Sequence, residues 1–168
     1  MSDLRKSVAV LAVSLACLAG IYAREGFVPV AERPLPGDVP TFGYGSTQHA
    51  NGSPVRLGER ISEPEARKLA TGQVRNVYEA GLRACAPDLV LLQREWDFLV
   101  DSAYNLGVRR VCESGMVREF RAGRYAEGCA YIKRYKYYQG KDCTNQANKC
   151  GGIPKDRERA YRMCLGAP

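Results

Sequence analysis

The stretch GIYAREGFVPVAERPLPGDVPTFGYGST (residues 20–47) decides how this chain is read. It leaves the last turn of an apolar run, passes a charged pair, Arg24-Glu25, and ends in a glycine-punctuated β pattern. Between the two lies a Pro- and Gly-rich loop carrying a second carboxylate, Asp38, three residues before Thr41. Acid–base chemistry uses such a pair when one carboxyl keeps its proton in apolar surroundings and the other stays ionised in a wetter place. With 18 acidic residues in the chain, the pair alone decides little.

Upstream, SVAVLAVSLACLAGIYA (residues 7–23) holds 17 residues without a charge, preceded by Arg5 and Lys6. As one helix it would reach about 26 Å, just short of a hydrocarbon core of ~30 Å. The basic residues before it favour an N-terminus kept in the cytoplasm with the rest of the chain outside. A cleavable signal peptide has Ala23 but a poor Ile21 before the cut, and a lipoprotein signal at Cys17 has Ser14 where an aliphatic residue belongs. A buried core helix would be short of polar positions. An uncleaved, weakly held anchor over residues 1–24 fits best, with residues 7–23 in the membrane. It would leave residues 25–168 as a single domain on the outer side.

Downstream, residues 27–60 carry β-favouring pieces, PTFGYGST and SPVRLG, joined by Asn51-Gly52, a strong hairpin signal. This predicts a small β lobe over residues 25–60. From Ser62 the pattern turns helical, and a larger lobe is expected over residues 61–168. Ser62 and Glu65 form a capping box with Pro64 in the first turn. Leu91, Leu92, Trp96, Leu99, Val100 and Ala103 make one helical stripe, stopped by Gly107. Ser114 caps GMVREFRAG, RYAEGCAYIKRYKYYQ (residues 124–139) reads as another helix, and Pro154 opens PKDRERAYRMC. The class is α+β, predominantly α.

The net charge of +7 favours polyanionic partners, among them cell-wall polymer, anionic lipid and nucleic acid. The densest patch, KRYKYY (residues 133–138), reads as helix with buried tyrosines and solvated lysines. Seven cysteines suit an exported protein. With a lone His49 and no C-x-x-C, a Cys/His metal site is not expected, and no cofactor is called for. Cys143 and Cys150 bracket a polar loop and are expected to pair. Cys85, Cys112, Cys129 and Cys164 have three possible pairings, which leaves Cys17 as the odd one. An export signal with paired cysteines argues against a nucleic-acid partner.

The order Glu25-Gly26, then Thr41-Phe42-Gly43-Tyr44-Gly45, resembles the phage-type lysozymes of glycoside hydrolase family 24. AYNLG (residues 103–107), GMVREFRAGRY (115–125) and RERAYRMC (157–164) extend the resemblance over most of residues 24–165. The apolar start resembles the signal-anchor-release type of endolysin, which implies tethering to the host inner membrane through residues 7–23 and export of residues 25–168 to the periplasm. The resemblance implies a lysozyme-like fold and a monomeric muramidase acting on peptidoglycan, with Glu25 as general acid and Thr41 positioning the attacking water. The family's Asp falls on Pro34 counting from Glu25 and on Leu35 counting back from Thr41. The loop's carboxylates are Glu32 and Asp38, with Asp38 the preferred second group, Glu32 the other, and Thr41 acting alone a third possibility. Water between two carboxyls more than ~6 Å apart would give inversion. The alternatives are a lytic transglycosylase cutting the same bond with one carboxylate, and a membrane-tethered wall-binding protein without activity.

Overall fold

A computed structural model describes residues 4–167; residues 1–3 and 168, the outer ends of the expected anchor and catalytic segments, lie outside the described residues. In chain order the elements are β1 (Lys6–Ser7), α1 (Leu15–Glu25), β2 (Val28–Glu32), β3 (Thr41–Gly43) and α2 (Glu63–Gln73). A π-helical turn (Val74–Glu79), α3 (Ala80–Cys85), β4 (Val90–Leu91), α4 (Gln93–Leu106), α5 (Val108–Cys112) and α6 (Gly115–Arg121) follow. The chain continues through α7 (Tyr125–Ala130), a 3-10 turn (Tyr131–Arg134), β5 (Tyr137–Tyr138), β6 (Lys141–Asp142) and α8 (Gly152–Leu165). The strands form two-stranded antiparallel pairs, β1 with β4, β2 with β3 and β5 with β6. This is the mostly helical α+β class that the sequence predicts. The chain divides into two compact units, Ser14–Val77 and Met1–Val13 with Tyr78–Pro168.

In the smaller unit, residues 14–77, the Ser14 hydroxyl caps α1 by accepting from the Cys17 N–H at 3.1 Å. Cys17, Leu18, Ile21 and Tyr22 are the buried stripe of this helix. Gly26, at φ 72°, ends it. The β2–β3 pairing sets Val28 against Gly43 and Glu32 against Thr41, so the longer run on β2 is accommodated by a bulge. Ala31, Phe42 and Val55 form the core of this lobe, with Ile61 and Leu69 packed on it. The expected Asn51-Gly52 turn is present, closed by His49 N–H donating to Ser53 O at 2.9 Å. The capping box on α2 is also formed.

Gly43 shows why the hairpin needs its first motif glycine. Its φ is +62°, and a Cβ there would lie 2.9 Å from Ala66 Cβ on α2. Gly43→Ala therefore combines left-handed strain with a clash, and should cost about 2 kcal/mol. A urea midpoint shift of that size checks it; an unchanged midpoint would mean the hairpin has room to move off α2.

In the larger unit the α4 stripe is buried as expected, with Trp96 1% exposed and Leu99, Val100 and Ala103 fully buried. α8 packs along α4. The disulfides are Cys85–Cys112, Cys129–Cys164 and Cys143–Cys150. The first two close loops of 27 and 35 residues, long enough for about 3–4 kcal/mol each in chain-entropy terms. Cys17 is buried and outside all three.

Two sequence expectations fail. Residues 7–23 do not form one helix. Residues 4–13 run along the larger unit instead, with Lys6 paired to Leu91, Ser7 paired to Val90, and Val8, Leu11 and Val13 buried. α1 begins only at Leu15 and spans 11 residues, about 16 Å. Among the described residues no helix is long and apolar enough to cross a membrane. The cause is a set of fixed polar partners. Arg83 donates to the Val8 and Leu11 carbonyls, Gln93 to the Ala12 carbonyl, and the Val13 N–H donates to Glu79 at 2.7 Å. These hydrogen bonds hold the segment out of a helix, with a turn at residues 8–10 in which the Val10 N–H donates to the Ser7 carbonyl at 3.1 Å, and Ser14 then starts a separate helix. The second failure is the helix over residues 124–139, which stops at Arg134. Tyr137 and Tyr138 stand 60% and 54% exposed on a hairpin turned by Gln139 and Gly140, both at positive φ. Adjacent tyrosines suit a strand, and the Gln-Gly pair supplies the turn that a helix cannot contain.

Candidate active site

Glu25 is the last residue of α1 and is exposed. Its Oε2 lies 3.5 Å from where a Cβ on Gly45 would be, and Gly45 has φ +78°. The bare glycine backbone lets the carboxylate rest against the hairpin. The two halves of the motif, Glu25-Gly26 and Thr41–Gly45, are thus brought together within the smaller unit. The exposure of Glu25 departs from the dry surroundings expected of a proton-holding acid.

Thr41, half-buried, opens β3 directly opposite Glu32 in the register. Directly opposed residues on an antiparallel pair share a face, with Cβ atoms ~4.5–5.5 Å apart. Asp38 sits on the exposed loop between the strands. Its Oδ2 accepts the Leu35 N–H at 3.1 Å, and its own N–H donates to the Leu35 carbonyl at 3.1 Å. So Glu32 is paired with Thr41, whereas Asp38 closes a turn within its own loop. Pro34, where the family's Asp falls, has no ionisable group.

Sequence reasoning missed a polar-aromatic cluster beside these residues. Tyr22, one helical turn before Glu25, stacks on Tyr44 with ring centroids 4.7 Å apart. The Tyr44 hydroxyl donates to Glu63 Oε1 at 3.0 Å, and Arg67 grips the same oxygen through Nε and Nη2 at 3.2 and 2.7 Å. Tyr22 Oη meets Thr71 Oγ1 at 2.5 Å and donates to the Arg67 carbonyl at 3.3 Å. Burial, and after it the bond to Glu63, pushes the Tyr44 hydroxyl up, so it stays a donor. The bonds from Arg67 and then Tyr44 hold the Glu63 carboxyl below the usual range. The cluster therefore locks the helix that carries Glu25 to the hairpin that carries Gly45. Three local signals for it exist: Tyr22 at i−3 from Glu25, Tyr44 inside the glycine motif, and Glu63-Arg67 at i,i+4.

Among the described residues no group of three or more His, Cys, Asp or Glu could hold a metal. The chemistry on offer is that of a carboxyl, a hydroxyl and a second carboxylate.

Compared with known proteins, the sequence matches the phage lysozyme family over residues 23–151. A search of curated proteins gives no match. Among solved structures, a mutant of P22 lysozyme superposes with a TM-score of 0.77 at 18% identity, over 93% of this chain and 99% of that one. An endolysin from the Escherichia coli O157:H7 phage FAHEc1 gives 0.76 at 22% identity, over 95% and 98%. The muramidase domain of SpmX from Asticaccaulis excentricus gives 0.73 at 20% identity, over 92% and 98%. At such identities the superpositions speak for the fold.

Proposed function

Because this chain belongs to the phage lysozyme family, we propose that it is a peptidoglycan-hydrolysing endolysin that cleaves the β-1,4 bond between N-acetylmuramic acid and N-acetylglucosamine. Glu25 is the general acid that protonates the leaving oxygen, and Thr41 holds the attacking water. The observation that carries this reading is Glu25 lying against Gly45 of the hairpin. Peptidoglycan binding would draw the exposed carboxyl out of water.

For the second group, the register favours Glu32, which faces Thr41 across the hairpin. Asp38, preferred on spacing alone, is engaged by Leu35. The enzyme works as a monomer in the periplasm. Before it adopts the fold described above, it is tethered to the inner membrane through residues 7–23, an uncharged run with basic residues before it.

One experiment tests the reaction and apportions the roles. Purified murein is digested with the wild type and with Glu32→Ala, Asp38→Ala and Thr41→Ala, and the new ends are analysed by mass spectrometry. Free reducing ends are expected. Thr41→Ala should lose about a hundredfold in rate and Glu32→Ala a similar amount, with Asp38→Ala within about threefold of wild type. A product pool of 1,6-anhydro ends would mean a transglycosylase and remove the need for any second carboxylate.

A further inference from the structure

The smaller unit contains a groove of ≈ 1000 Å³ whose walls include none of Glu25, Asp38 and Thr41. That is the upper end of the range for ligand sites. Its apolar surfaces come from Phe42, Ile61, Leu69 and Val77. Three cations line it, Arg60, Lys68 and Arg75, together with the primary amides of Gln48, Gln73 and Asn76. None of these three cations has an ion pair or side-chain hydrogen bond with another described residue. Elsewhere Arg83, Arg121, Arg124 and Arg159 each face a carboxylate. The carboxylate in the groove wall, Glu65, is already engaged, accepting from the Ser62 N–H and hydroxyl in the capping box.

A second feature is local to the backbone. Gly72 lies inside α2 and lines the groove, yet no heavy atom comes within 4 Å of a Cβ built on it. Glycine weakens a helix interior, and no packing inside the protein accounts for it here. It leaves main chain bare where a ligand would approach. The π-helical turn begins two residues later and contributes Arg75, Asn76 and Val77 to the wall. Such turns recur at functional sites.

We propose that this groove binds the carboxylate-bearing stem peptide of peptidoglycan, holding the wall polymer while Glu25 acts on its glycan; the identity of the ligand rests on the endolysin reading above. Three uncompensated cations select an anion. Free amides match peptide groups, and the apolar surfaces match alanine methyls and a diamino acid's methylenes. Bare backbone at Gly72 allows a main chain to come close. The concave shape selects a peptide over a flat phospholipid surface.

The test is a titration of the full chain with the tetrapeptide L-Ala–γ-D-Glu–diaminopimelate–D-Ala, followed by NMR. Saturable shifts are expected at the Gly72 and Gln73 amides. The triple variant Arg60→Glu/Lys68→Glu/Arg75→Glu should weaken binding at least about tenfold, and Gly72→Trp should block it without changing charge. With intact sacculi the triple variant should raise KM and leave kcat alone. With glycan strands stripped of peptide by an amidase it should behave as wild type. No saturable shift, or an equal KM rise on stripped strands, overturns the proposal. So does a triple variant that loses binding to phosphatidylglycerol vesicles while keeping the tetrapeptide. Tetrapeptide binding without cleavage of either substrate would support the groove and sink the hydrolase reading alone.

Discussion

Glu25→Gln is expected to lower murein cleavage by roughly a thousandfold while leaving the unfolding midpoint where it was. The two halves of that expectation come from different observations. Glutamine has the shape of glutamic acid and keeps its hydrogen-bonding reach, but it has no proton to give. General acid catalysis is worth about 10²–10⁴ in rate, and departure of a sugar oxygen without protonation is the step that loses it. Stability should not follow, because Glu25 is exposed at the end of α1, and surface substitutions usually stay within about 0.5 kcal/mol. Substrate affinity should hold as well, so the loss belongs in kcat with KM little changed. Initial rates of reducing-end release over a range of murein concentrations separate the two constants. A variant within tenfold of wild type would mean that the acid lies elsewhere, and the endolysin reading would lose its central residue.

The features legible in the sequence are those whose physics is local. Ser62 and Glu65 announce the start of α2 because a capping box is complete within four residues. Asn51-Gly52 announces its turn because the conformation belongs to the pair itself. The stripe from Trp96 to Ala103 declares a buried face by spacing alone, whereas Glu25-Gly26 and Thr41–Gly45 point to a site only through their resemblance to a family motif. What stayed hidden depends on partners far along the chain. Which cysteines pair among Cys85, Cys112, Cys129 and Cys164 follows from how helices stack, a matter on which spacing is silent. Asp38 lies nearer to Thr41 along the chain, whereas the register, with its bulge in β2, sets Glu32 opposite that threonine, a relation that residue counting does not contain. The Tyr44–Glu63–Arg67 cluster joins a hairpin to a helix 19 residues away, so no single window contains it. Tyr137 and Tyr138 carry a strand preference that the helical spacing upstream masks, and the pairing of Tyr137 with Asp142 across the Gln139-Gly140 turn is what expresses it.

Residues 7–23 are the sharpest case, because their composition suits a bilayer and a protein core equally. The decision is made 66 residues away, at Glu79. This side chain is 2% exposed, and its Oε1 accepts from the Val13 N–H at 2.7 Å, from Trp96 Nε1 at 2.9 Å and from Arg83 Nη2 at 3.2 Å. Arg83 in turn holds the Val8 and Leu11 carbonyls. One buried carboxylate thus joins the N-terminal segment, the indole of α4 and the guanidinium that fixes the segment's backbone. Glu79→Leu would leave two buried donors and a cation without their acceptor, and removing one member of such a set costs about 3–5 kcal/mol. Against a typical domain stability of about 5–15 kcal/mol, the variant should unfold at a much lower urea concentration. Glu79→Gln keeps a carbonyl for Val13 and Trp96 and surrenders only the charge, so it should cost distinctly less. Deletion of residues 1–13 supplies the decisive comparison. Without the segment, water reaches Glu79 and Val13 is gone, so Glu79→Leu in the shortened chain should cost far less than in the full one. The difference between those two costs, read from urea melts as a double-mutant cycle, is the coupling between segment and carboxylate. A cycle that closes to within about 0.5 kcal/mol would mean that residues 4–13 are held by apolar burial and by the Arg83 and Gln93 hydrogen bonds without help from Glu79, and that Glu79 serves only Trp96 and Arg83.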